Sequence, residues 1–114
     1  MHMRRKGWLI GMLLAILVAC ADEKPAEVPL SILASQPAAY EDKPVATQGV
    51  VRTFETPRHY WIEDEGLNRV EVFPQERIVP YLGEQVRIIG RFHYGQKEGR
   101  KLEIEHIVAI DDLE

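Results

Sequence analysis

The chain reads as a small all-β domain of five strands with two short helical segments. Three observations predict it. Five runs of alternating apolar and polar residues lie between residues 45 and 110, a helix-sized interval follows the third run, and a glycine interrupts both the first run and the fourth. The length agrees, since 114 residues leave room for one modest core.

Ser31 is placed to cap a short helix through Ile32, Leu33 and Ala34. Pro37 permits a restart toward Tyr40, and Glu41-Asp42-Lys43-Pro44 turn the chain. Residues 45–53 then alternate, with Val45, Thr47, Gly49 and Val51 on one face and Ala46, Gln48, Val50 and Arg52 on the other. A glycine in mid-strand marks a bulge or a sharp coil. Residues 60–64 and 69–73 make the second and third strands, with Tyr60, Ile62, Val70 and Val72 inward. Glu65-Gly66-Leu67-Asn68 joins them as a hairpin turn, and Asp64 is placed to hydrogen-bond that turn's backbone.

Pro74 closes the third strand, and residues 75–82 hold one or two helical turns, interrupted at Pro80 and stopped by Gly83. Residues 86–93 repeat the pattern of the first strand with Val86, Ile88, Gly90 and Phe92 inward, so Gly90 stands where Gly49 stands 41 residues earlier. Residues 94–100, with Gly95 and Gly99, are expected to form an exposed hairpin loop. Residues 101–110 supply the last strand, with Leu102 and Ile104 inward.

Ahead of this domain the sequence changes character. Arg4, Arg5 and Lys6 precede twelve residues, 8–19, without a charge or a proline, which is the pattern of an export signal. A helix of that length rises about 18 Å, short of the ~30 Å hydrocarbon core. Leu17-Val18-Ala19-Cys20 resembles the lipobox of bacterial lipoproteins. The resemblance implies cleavage after Ala19, acyl chains such as palmitate on Cys20, and a place in the cell envelope. Ala21 rather than aspartate follows the cysteine, which favours the outer membrane. Residues 1–19 are thus expected to be a signal peptide, 20–29 a flexible lipid-anchored tether rich in Asp, Glu, Lys and Pro, and 30–114 the folded domain. Cys20 is the single cysteine, so no intrachain disulfide forms.

Removal of residues 1–19 leaves eleven basic residues against eighteen acidic ones, a net charge of −7. Such acidity argues against a general nucleic-acid binder. Five strands, a helix between the third and fourth, and mid-strand glycines in the first and fourth resemble an OB-fold, whose small sheet must curl hard to close. Val45-Ala-Thr-Gln-Gly49-Val-Val51, Tyr60-Trp-Ile-Glu-Asp64-Glu-Gly66 and Gly83-Glu-Gln-Val86-Arg-Ile-Ile-Gly90 resemble OB domains of the tRNA-anticodon-binding-like family over residues 43–110.

The resemblance implies a ligand face on the outward side of the second and third strands, flanked by the loops after the first and fourth. The candidate binding residues there are Arg52, Phe54, Arg58, His59, Trp61, Arg69, Phe73, Arg91, Tyr94 and Arg100, with Glu63, Glu71, His93 and Lys97 nearby. Aromatic rings interleaved with arginines suit base stacking and phosphate contact. Glu63 and Glu71 on the same face would repel a phosphate backbone, and position 63 is often basic in anticodon-binding relatives. The leading expectation is therefore a non-catalytic envelope domain that binds a protein or glycan, with single-stranded nucleic acid as the alternative. His59, His93 and His106 sit on three elements without zinc-site spacing, and no nucleophile, base pair or phosphate loop is recognisable, so no metal, cofactor or catalysis is expected.

Overall fold

The computed structural model describes residues 23–113, and Cys20 with the expected signal peptide lies outside the described residues. In chain order the elements are β1 (Ala26–Glu27), α1 (Leu30–Ser35), a 3-10 turn (Pro37–Tyr40), β2 (Lys43–Glu55), β3 (Arg58–Glu63), β4 (Arg69–Phe73) and α2 (Gln75–Ile78). A 3-10 turn (Val79–Tyr81), β5 (Gln85–Gly95), β6 (Gly99–Ala109) and a last 3-10 turn (Ile110–Leu113) complete the chain. The five strands expected from the sequence are β2 to β6.

β2 makes closure possible because it serves two neighbours. Its first half pairs antiparallel with β5 and its second half with β3, and Val50 takes part in both ladders, opposite Gln85 and opposite Glu63. β3 continues antiparallel to β4, β4 runs parallel to β6, and β6 returns antiparallel to β5. The sheet therefore closes on itself as a five-stranded barrel, an OB-fold. Gly49 lies beside the branch point, where a Cβ would meet Leu30 Cδ1 at 2.8 Å and Ile62 Cβ at 3.0 Å. Gly90 sits at the other bend, where the β5–β6 register shifts between Ile89 and Gly90 and Glu105 becomes the extra residue of a bulge.

Period-two alternation puts Val45, Val51, Tyr60, Ile62, Val70, Val72, Val86, Ile88, Phe92, Leu102 and Ile104 into one core. Burying each such side chain is worth roughly 1.5–3 kcal/mol. Leu30 and Leu33 of α1, together with Ile78 of α2, join the same cluster, so the two helices cover what the strands leave open. Thr47 is the one polar residue in this interior, and its hydroxyl has no partner among the described residues.

Three expectations need correction. α1 starts at Leu30 after Pro29, with no side-chain cap, so Ser31 lies inside the helix rather than before it; a proline preceding the first turn sets the extended entry without a capping hydroxyl. The domain begins ahead of residue 30, because Ala26 and Glu27 pair in parallel with Val45 and Ala46 and Val28 is buried in the core. Residues 94 and 100 are strand rather than loop. Tyr94 pairs with Arg100 and Gly95 with Gly99, where φ of +74° at Gly99 allows a tighter turn than two glycines alone suggest.

Candidate ligand-binding face

With Val51, Tyr60, Ile62, Val70 and Val72 committed to the core, their neighbours must point outward. Arg52, Phe54, His59, Trp61, Glu63, Arg69 and Glu71 consequently share one face. The ladders then set their order. Phe54 lies opposite His59, and Arg52, Trp61 and Glu71 form a row across β2, β3 and β4. The ring centroids of Phe54 and His59 are 6.1 Å apart, and those of His59 and Trp61 5.2 Å. The guanidinium carbon of Arg69 lies 4.9 Å from the Trp61 ring centre, over its face. His59 Nδ1 is 2.8 Å from the Pro57 carbonyl oxygen, which can only accept, so Nδ1 is the donor and the ring is held in place. The result is a continuous ladder of planar groups, with Phe54 exposed at one end.

Glu63 organises the ladder. Its Oε1 accepts the Trp61 indole N–H at 2.9 Å and lies 3.1 Å from Arg69 Nε, while Oε2 lies 3.5 Å from Arg52 Nε. The indole hydrogen bond lowers the Glu63 pKa from its ordinary value; burial opposes this, and the Arg69 and Arg52 charges add to the lowering. The repulsion expected between Glu63 and a phosphate is thus met by two arginines on the spot. Asp64 behaves as the sequence suggests. Its carboxylate accepts the Asn68 backbone N–H at 2.9 Å and the Asn68 amide; burial pushes its pKa up, and the Asn68 bonds together with the Gly66 and Asp64 backbone N–H groups more than offset that and hold it low.

Next to the ladder lies a hollow of about 450 Å³, walled by His59, Trp61, Arg69, Glu71, Tyr94 and Arg100 among others. Arg100 builds its wall rather than reaching freely, since Nε donates to the Arg69 carbonyl at 3.0 Å and Nη1 to that of Ala34 at 3.3 Å. On the other side of the Arg52–Glu63 pair a second hollow of about 610 Å³ is lined by Gln48, Arg52, Glu63, Glu65, Leu67 and Gln85. Sequence reasoning missed Gln48 and Gln85. Their signal was present, because Gln48 shares the outward parity of Arg52, but only the β2–β5 pairing brings Gln85 beside it.

Other candidates fall elsewhere. Arg91 turns away from the face: Nη1 donates to the Asp42 carbonyl at 2.6 Å, because the β5–β2 ladder places it opposite Pro44. Phe73 keeps the outward parity of Arg69 and Glu71 but sits at the end of β4, its ring centroid 6.3 Å from that of His93, whose Nε2 lies 3.3 Å from Glu103. Arg58 is exposed and pairs with Glu55 at 3.5 Å. Among the described residues no three His, Cys, Asp or Glu side chains converge as metal ligands.

No protein-family model matches the chain, and no curated protein matches it in sequence. Solved structures share its fold. A "putative aspartyl-tRNA synthetase" from Leishmania major Friedlin superposes with a TM-score of 0.55 at 16% identity over 80% of this chain. This chain spans 22% of that one's length. A chain of the S. pombe Stn1-Ten1 complex gives 0.55 at 13% identity, covering 78% of this chain and 79% of the other. Replication protein A of U. maydis, bound to single-stranded DNA, gives 0.55 at 17% identity, covering 77% and 74%.

Proposed function

We propose that the barrel is a non-catalytic binding domain that takes a single-stranded nucleic acid across the β3–β4 face. The observation that carries this is the ladder Phe54, His59, Trp61 and Arg69, a run of planar surfaces spaced for stacking beside a hollow. Stacking a base on such a ring is worth about 1–3 kcal/mol and tolerates any base. The fold likeness to a replication protein bound to single-stranded DNA supports the same reading. With its acidic surroundings the face supplies stacking first and phosphate attraction second, so binding is expected to be modest, with a salt dependence set by the few phosphates that Arg52 and Arg69 reach.

The chain contains two tryptophans, Trp8 and Trp61, so a Trp8→Phe chain reports from the face alone. Titration with an oligonucleotide should quench Trp61 emission at low salt and lose affinity as salt rises. Emission indifferent to oligonucleotide at every salt concentration would sink the reading. A second reading then takes its place, a protein or glycan of the cell envelope, favoured by the export pattern of residues 4–20 and the net charge of −7 left without residues 1–19. Under either ligand we place the domain outside the cytoplasm, held to a membrane by acyl chains on Cys20.

A further inference from the structure

The segment that leads into the barrel is strapped to it. Ala26 and Glu27 pair in parallel with Val45 and Ala46, the Val28 N–H donates to the Ala46 carbonyl at 3.0 Å, and the Val28 side chain is buried. Charges extend the strap in both directions along β2: Glu27 pairs with Arg87, and Glu23 lies 4.0 Å from Arg91. The parallel register points the same way, since Ala26 beside Val45 sets residue 23 near Asp42, whose carbonyl already holds Arg91.

From Glu23 onward the chain therefore belongs to the barrel, and only Ala21 and Asp22 separate it from Cys20. Three residue steps reach at most about 11 Å, whereas a free tether over residues 20–29 would reach about 35 Å. We propose that the anchored protein is held against a phospholipid surface by one corner, formed by Asp42, Lys43 and Arg91, with the Trp61 face standing clear of the bilayer. This rests on lipid anchoring at Cys20 and not on which ligand the face takes.

The fold supplies the separation. β2 starts at this corner, and the ten residue steps from Asp42 to Arg52 cover roughly 33 Å of strand, about 20 Å in height once the strand tilts around a barrel. The corner suits headgroups rather than hydrocarbon, because exposed Lys43 and Lys24 alternate there with the carboxylates of Glu23, Glu41 and Asp42. Of the exposed apolar side chains, Phe54, Leu67, Val79 and Leu82 lie on other parts of the chain, and only the amphipathic Tyr94, whose backbone N–H donates to Glu41, stands beside the corner. A ligand that stacks on Trp61 then approaches from the aqueous side.

The test uses the acylated protein purified from membranes and placed in phosphatidylethanolamine–phosphatidylglycerol vesicles that carry a headgroup nitroxide. One sample reports from Trp61 and a second from Lys43→Trp in a Trp61→Phe background, with Lys24→Trp in place of Lys43→Trp should the latter fail to fold. Quenching should be several-fold stronger at the corner than at Trp61, and an insert of about ten Gly and Ser residues between Asp22 and Glu23 should erase that difference. Equal quenching at both positions, or a difference that survives the insert, overturns the orientation. Intact mass separates the two failures: acylated protein with equal quenching refutes the orientation alone, while a chain without acyl groups refutes the anchoring and the orientation with it.

Discussion

β2 and β5 carry the same inward pattern in sequence, apolar residues spaced by two with a glycine at the third position, yet the barrel uses them differently. On β2 the glycine relieves crowding chiefly by side chains, with Leu30 Cδ1 at 2.8 Å and Ile62 Cβ at 3.0 Å from where a Cβ would stand, while the nearest backbone atom, Glu63 N, is at 3.1 Å. On β5 it relieves crowding by backbone, because a Cβ on Gly90 would overlap the Glu103 carbonyl oxygen, with the carbonyl carbon at 2.9 Å. A side chain can turn aside and a bulged strand cannot. The outward faces diverge as well. Arg52 of β2 reaches Glu63 and the ladder, whereas Arg87 and Arg91 of β5 hold Glu27 and Glu23 of the leading segment.

The sharpest way to break this comparison is to fill both glycines. Gly90→Ala should cost more than about 3 kcal/mol, beyond the usual overpacking range, and leave little folded protein. Gly49→Ala should cost about 1–3 kcal/mol, because Leu30 sits on a short helix that can give way. Equilibrium denaturation in urea ranks the two, and equal losses would refute the distinction between side-chain and backbone crowding.

A smaller effect separates the outward faces. Glu63→Gln removes the charge that gathers Trp61, Arg69 and Arg52, so Trp61 emission should shift and oligonucleotide affinity should fall by roughly tenfold, about 1.4 kcal/mol. Arg91→Gln should leave both unchanged, and an equal loss of affinity from the two variants would undo the assignment of Arg91 to the strap.

Acid gives a shallower response. Glu63 and Asp64 have folded pKa values below their ordinary 4.5 and 3.8, so the unfolded chain binds the proton more readily. Their contribution is fully present above those ordinary values and is lost as pH falls below them toward the depressed folded ones. Solvent near these carboxylates screens the effect, so thermal melts should show a gradual decline below about pH 4.5. Stability that holds through that range would mean the Trp61–Glu63 and Asp64–Asn68 bonds contribute nothing.

The smallest change should go the other way. Thr47 on β2 faces Ile88 on β5 across the ladder and buries a hydroxyl without a partner. Thr47→Val should raise stability by up to about 1 kcal/mol, read as a higher urea midpoint. A loss instead would show that the hydroxyl is satisfied after all.

Much of this was legible in advance because strand alternation is a local property. Once Val45, Ile62, Val72 and Phe92 are apolar at spacing two, each strand has only one face to bury. The same local chemistry exposed the Asp64 turn and the stop at Gly83. What the sequence could not carry was any contact made by weak local signals across a long separation. A two-residue strand of Ala26 and Glu27 has no apolar pattern of its own, and it exists because β2 leaves a free edge ahead of its pairing with β3.

By itself, then, the sequence determined a five-stranded barrel with two glycine bends, the inward set of nearly every strand, and the run of rings and arginines on β2, β3 and β4. Only the tertiary structure decided which charges those rings keep. Glu63, which in sequence opposes an anionic ligand, becomes the acceptor that holds Trp61 and two arginines, and Arg91, which in sequence joins them, is carried by its strand to another side. The physical reason is that apolar burial depends on parity along one strand, while an ion pair depends on the register between strands, and register is fixed only when the sheet closes.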